Sequence, residues 1–197
     1  MARPPVTHLL YLHGFRSSPQ STKARRLGDW IARVRPEVVW HCPQLPPSPA
    51  DALAGLLADT ADWPRDAMGV VGSSLGGFYA TVAAERLGCR AVAINPAVDP
   101  ARDLAKYIGE ITAWHSDERF HFRREFIDEL QAMSPAALTD RDRYLAFIAK
   151  GDEVLDWREM AARYAGCRLR VIDGGDHALS DFDRHLPELL RFLGLAA

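Results

Sequence analysis

Short apolar runs of strand length alternate along the chain with longer stretches in which apolar residues return every three or four positions. Residues 6–12 form the first such run, and it feeds a loop, 14–21, rich in Ser, Gly and Pro. Residues 22–35 then carry Leu27, Trp30, Ile31 and Val34 at helical spacing, and Pro36 stops them. A second short strand is expected at 37–41, running into the Pro-rich loop 43–49, with a helix at 50–63 that puts Leu53, Leu56 and Leu57 on one face. Residues 68–72 and 91–95 predict strands on either side of an Ala-rich helix, 76–87. Two further buried strands are expected at 144–150 and 168–173, with a helix around 161–164 between them that Asp156 opens. The last helix is expected to begin near Ser180, where Ser180 and Asp183 fit a capping box. It turns Phe182, Leu186, Leu189, Leu190 and Leu193 inward, and Pro187 marks a kink or restart.

About six strands separated by helices predict an α/β fold, a mostly parallel sheet with right-handed crossovers and helices on both faces. No repeat, low-complexity tract or linker divides 1–197, so one domain is expected. One segment breaks the rhythm. Residues 100–143 show no strand pattern and hold Tyr107, Trp114, His115, Phe120, His121, Phe122 and Phe126. A crossover that long contains structure of its own, either extra core helices or a short helical lid over a binding site. As a lid, it would bring Trp114 and Phe122 to the substrate.

Composition narrows the class. The chain has 197 residues, 48% of them apolar and 25% charged, the balance of a globular protein that folds without disulfides or metal. Its 24 basic and 26 acidic residues sum to −2, against a broad nucleic-acid-binding face. No run reaches the roughly 18 apolar residues of a membrane span, and the run at 9–12 is too short for a signal peptide. Cys42, Cys89 and Cys167 are odd in number and far apart, which fits neither a disulfide framework nor a zinc site. A reduced, cytoplasmic protein is the expectation.

The sharpest chemical signal is Gly72-Ser73-Ser74-Leu75-Gly76-Gly77, a G-x-S-x-G between a buried strand and a helix. Such an abrupt turn strains the central residue and pushes its side chain out at the C-terminal edge of the sheet. The glycines two before and two after let strand and helix approach. A serine hydroxyl is a poor nucleophile until a base takes its proton, so a His–carboxylate pair must follow in the order Ser…Asp…His. Asp152 follows the strand at 144–150, and His177 follows the strand at 168–173 within Gly174-Gly175-Asp176-His177. Acyl transfer also needs two backbone N–H groups for the oxyanion. Leu75, opening the elbow helix, and Phe15, in His13-Gly14-Phe15 after the first strand, are the candidates. His13 lies on the wrong strand for the base and is expected to brace its loop.

Together these motifs resemble the α/β-hydrolase superfamily. More closely, Ser17-Ser18-Pro19-Gln20-Ser21, Pro43-Gln44-Leu45, Asn95-Pro96-Ala97-Val98 and the late Gly175-Asp176-His177-Ala178 resemble the YqiA/YcfP-like esterases, small bacterial members with a short lid. The likeness covers nearly the whole chain and is weakest across 103–143. It implies a compact α/β-hydrolase with Ser74 as nucleophile, Asp152 as acid and His177 as base, hydrolysing acyl esters or thioesters, acyl-CoA among them. The same machinery would serve a serine peptidase or amidase, or survive as a scaffold in a non-catalytic binding protein.

Remaining signals read as structural. Lys23, Arg25 and Arg26 could meet an anionic substrate, but a solvated helix face is the simpler expectation. The seven histidines contain no i,i+3 or i,i+4 pair, and Asp173, Asp176, Asp181 and Asp183 gather at a helix N-terminus, where the dipole favours them, so no metal is expected. Gly-x-Gly-x-x-Gly is absent, so no dinucleotide cofactor is expected either.

Overall fold

The computed structural model describes residues 3–112 and 119–196. Strands β1 (His8–Leu12), β2 (Val39–His41), β3 (Met68–Ser73), β4 (Arg90–Ile94), β7 (Tyr144–Ala149) and β8 (Arg168–Ile172) form one sheet in the order β2-β1-β3-β4-β7-β8. Every pairing in it is parallel. Because successive strand residues point to opposite faces, the sheet sorts its apolar side chains into two cores. Leu10, Leu12, Val70, Ala93, Ala146 and Ile148 face α2 (Pro49–Asp59), α3 (Leu75–Leu87), α5 (Glu125–Met133) and α6 (Trp157–Arg163). Leu9, Tyr11, Val71, Val92, Ile94, Leu145 and Phe147 face α1 (Thr22–Val34) and α7 (Phe182–Phe192). The central strands β3, β4 and β7 are buried at every position, which is why they read as unbroken apolar runs; β8, expected to be buried as well, is exposed or half-exposed throughout, because it is the edge strand and carries Arg168 and Arg170.

Between β4 and β7 the chain departs from expectation. Residues 100–143 hold the short helix α4 (Pro100–Leu104), the longer α5, and an antiparallel pair, β5 (Gly109–Thr112) with β6 (Arg119–Phe122). The pair registers Gly109 with Phe122 and Thr112 with Arg119. These strands are four residues each and mostly half-exposed, so neither carries the apolar run that marks the main sheet. Trp114 and His115 lie outside the described residues.

The capping box at Ser180 does not form. Ser180 Oγ–H donates to Asp176 Oδ2 at 2.6 Å and its N–H to Oδ1 at 2.8 Å, so the hydroxyl is committed to the preceding loop. α7 starts later, after Asp181, and runs through Pro187. Asp156 does cap α6, accepting the Arg158 N–H at 2.9 Å.

Candidate active site

β3 hands over to α3 at Ser74, whose φ of 57° and ψ of −123° put a non-glycine residue in a region that L residues rarely occupy. The close approach explains the flanking glycines. A Cβ on Gly72 would sit 2.0 Å from Gly76 O, and one on Gly76 would sit 2.0 Å from Leu12 O. The strained peptide is held on both sides: Ser74 N–H donates to Ile94 O at 3.0 Å, and Ser74 O accepts from Gly77 and Ala97 at 2.9 and 3.0 Å.

Asp152 and His177 arrive on neighbouring loops after β7 and β8. Gly151 N–H donates to Gly174 O at 2.9 Å, and Gly174 and Gly175 both take left-handed φ of 77° and 76°. Asp152, its side chain without exposure, spends its two oxygens separately. Oδ1 accepts the N–H groups of Val154 and Leu155, each at 2.8 Å, and Oδ2 meets His177 Nδ1 at 2.7 Å. A carboxylate only accepts, so Nδ1 carries the proton and Nε2 presents its lone pair. Nε2 lies 3.0 Å from Ser74 Oγ. The chain thus brings Ser74, His177 and Asp152 into one line of hydrogen bonds.

The loop after β1 runs alongside. A Cβ on Gly14 would lie 3.3 Å from Ser74 Cβ, which puts the Gly14–Phe15 backbone against the serine. Among the described residues the N–H groups of Phe15 and Leu75 serve no other hydrogen bond. Both residues line the cavity of about 400 Å³ that holds Ser74 and His177. His13 is buried, with Nδ1 on Gly14 O at 2.9 Å and Nε2 accepting from Leu45 N–H at 3.0 Å. It therefore ties this loop to the Pro-rich loop 43–49, and burial holds its pKa below the ordinary histidine value. Phe15 packs on Tyr107 and Phe122 at ring distances of 5.4 and 5.3 Å. Phe122 itself is buried and lines a second, adjoining cavity of about 330 Å³ rather than the one with Ser74. The other aspartates near this edge do different work: Asp99 accepts the Arg102 N–H at 3.2 Å and caps α4.

Over residues 8–194 the sequence matches the model of the uncharacterised protein family UPF0227. The chain belongs to this family, the one to which its YqiA/YcfP-like motifs point. Solved structures share its fold. The mouse alpha/beta hydrolase domain-containing protein 10 is 17% identical, with 94% of this chain and 90% of that one covered and a TM-score of 0.69. A metagenome-derived structure from the lipolytic enzymes LipS and LipT is 19% identical over 96% and 94%, with a TM-score of 0.70. Est1E from Butyrivibrio proteoclasticus, with ferulic acid bound, is 16% identical over 97% and 89%, with a TM-score of 0.68.

In this UPF0227 member the role of Asn95 escaped sequence reasoning, and Lys23 departs from the solvated helix face expected of it. Asn95, fully buried at a φ of 40°, donates from Nδ2 to the carbonyls of Asp176 and His177, each at 3.0 Å. Its Oδ1 accepts the Ala149 N–H at 2.8 Å. One amide thus joins the ends of β4 and β7 to the histidine loop. Lys23 is half-buried in the wall of the Ser74 cavity, while Arg25 and Arg26 are exposed as the solvated-face reading expects. Its Nζ donates to Ala178 O, and burial brings its pKa down to about 8 against the pull of Asp176.

Proposed function

We propose that the protein hydrolyses carboxylic esters or thioesters through an acyl-Ser74 intermediate. The reading is carried by the continuous hydrogen-bond line from Ser74 Oγ through His177 to Asp152. As Ser74 Oγ attacks the acyl carbon, its proton passes to His177 Nε2. Asp152 holds the proton on Nδ1 and stabilises the imidazolium so formed. The carbonyl oxygen becomes an oxyanion, for which the N–H groups of Phe15 and Leu75 are the donors. Its collapse breaks the bond to the leaving group, which departs with the proton from Nε2. Water then gives a proton to the same nitrogen and attacks the acyl carbon; as the second oxyanion collapses, the bond to Ser74 Oγ breaks, Nε2 returns its proton to Oγ, and the acid leaves. The 330 Å³ cavity beyond Phe15, largely apolar, is the natural place for the acyl chain.

The test is Ser74→Ala. Alanine leaves the elbow backbone as it is, so the thermal midpoint should stay near wild type. Turnover of p-nitrophenyl esters should fall by about four to six orders of magnitude, and a fluorophosphonate should label wild type but not the variant. Activity above about a tenth of wild type would refute the assignment of Ser74. Comparing p-nitrophenyl esters by chain length with acyl-CoA thioesters and peptide amides then fixes which acyl compound is preferred.

A further inference from the structure

The two cavities meet at Gly14, Phe15 and Leu75, and differ in their lysines. The cavity with Ser74 and His177 takes in Lys23 and Lys106. Among the described residues its one lining carboxylate is Asp103, already paired with Arg102 at 2.9 Å. Arg16 lines both cavities. The second cavity adds Leu45, Pro46, Pro47, Tyr79, Phe120 and Leu130, and no carboxylate. An ester has two arms, and of these two mostly apolar cavities at the same loop only the one with Ser74 adds lysines.

Lys23 is the key to that difference. Its Nζ spends one proton on the Ala178 carbonyl, next to His177, and keeps two. The nearby Asp176 carboxylate keeps its charge and partly balances Lys23, but its oxygens hydrogen-bond Ser180 and leave the two remaining Nζ protons unengaged among the described residues. A half-buried ammonium with spare donors is a binding group for an anion, because losing water costs less when a counter-charge replaces it. Resting on the reading of Ser74 as nucleophile, we propose that the leaving group of the substrate carries a carboxylate or phosphate that pairs with Lys23. The acyl chain lies in the other cavity, which holds no lysine. Lys23 is a specificity-determining residue and takes no part in bond making: the acyl–oxygen bond breaks, and the departing oxygen takes its proton from His177.

The test compares the octanoyl ester of 4-hydroxybenzoate with the same ester whose carboxylate is blocked as the carboxamide. Wild type should favour the anionic ester in kcat/KM. The anionic-to-neutral ratio should fall at least tenfold in Lys23→Met and be largely restored in Lys23→Arg. An unchanged ratio in Lys23→Met, or a wild type that favours the neutral ester, overturns the proposal. So does a preference for an ester with its anion at the far end of the acyl chain, such as the mono-p-nitrophenyl ester of suberate over p-nitrophenyl octanoate. Binding is read separately, by calorimetry on Ser74→Ala with 4-hydroxybenzoate and 4-hydroxyphenyl phosphate. Affinity for the tighter of the two, which identifies the anion, should drop at least tenfold when Lys23→Met is added; binding of neither, or binding indifferent to Lys23, refutes the proposal. Lys23-dependent binding without any ester turnover in wild type would instead refute the role given to Ser74 and leave the anion site standing.

Discussion

Asp152 differs from the other aspartates at this sheet edge in where its oxygens go. Two backbone N–H groups hold Oδ1 and His177 takes Oδ2, whereas Asp99 and Asp156 each cap a helix. Asp152→Asn is expected to lower kcat by about four orders of magnitude, by setting the wrong tautomer on His177. Asp99→Asn and Asp156→Asn should stay near wild type, because asparagine also caps helices; steady-state kinetics of the three variants decide the matter. Asn95→Asp replaces two donated hydrogen bonds with a carboxylate facing two carbonyls. A drop in kcat of about a hundredfold is expected, since the histidine loop shifts against the serine, with KM less affected. Ser74, Asp152 and His177 were legible because each sits in a local pattern at a strand end, in the order that the fold demands. Asn95 was not, and Lys23 was legible only as a cation that could meet an anion, because their placement depends on partners 82 and 155 positions away.

Helices and strands carry their own tests, and the glycines separate them. Gly76→Ala would drive a Cβ into the backbone of β1, at 2.0 Å from Leu12 O, and neither backbone can yield without moving the elbow. A loss of more than about 4 kcal/mol is expected, seen as a chain that fails to fold. Gly55, mid-way along α2, has open space around its Cβ position. Gly55→Ala should raise stability by about 0.5–1 kcal/mol in urea melts. Phe122→Ala belongs with the core: its ring is buried and meets Phe15 and Phe126 edge-on at 5.3 and 5.4 Å. Unfolding should cost about 3–5 kcal/mol less, a clear fall in thermal midpoint. The strands β1, β3, β4 and β7 were legible from apolar runs because both faces of the sheet are covered there, whereas the edge strands β2 and β8 are exposed or half-exposed. The β5–β6 pair was not legible, because strands of four residues stabilised by one another leave little periodicity to read.

For the whole molecule, acid is the expected weakness. Burial lowers the pKa of His13 from its ordinary 6.5, so the unfolded chain takes up that proton first. The stability it contributes is complete above pH 6.5 and drains away as pH falls from there toward the folded value. Glu85 adds a second decline below its ordinary 4.5. Burial pushes its pKa up, but hydrogen bonds from Thr139 and Tyr144 outweigh it, and the net shift is downward. Urea midpoints should therefore fall between pH 7.5 and 5.5 and fall again below 4.5, with His13→Asn flattening the upper part; a flat wild-type profile would contradict this. The line from Ser74 to His177 spans 103 positions of chain, and the strand that delivers the histidine is the last in sequence and lies at the sheet edge. A chain refolding from denaturant can complete the elbow, its helix and the other five strands while the serine still has no base. Recovery of activity should then lag recovery of helical signal, and its rate should report the docking of β8 and α7 rather than the collapse of the core.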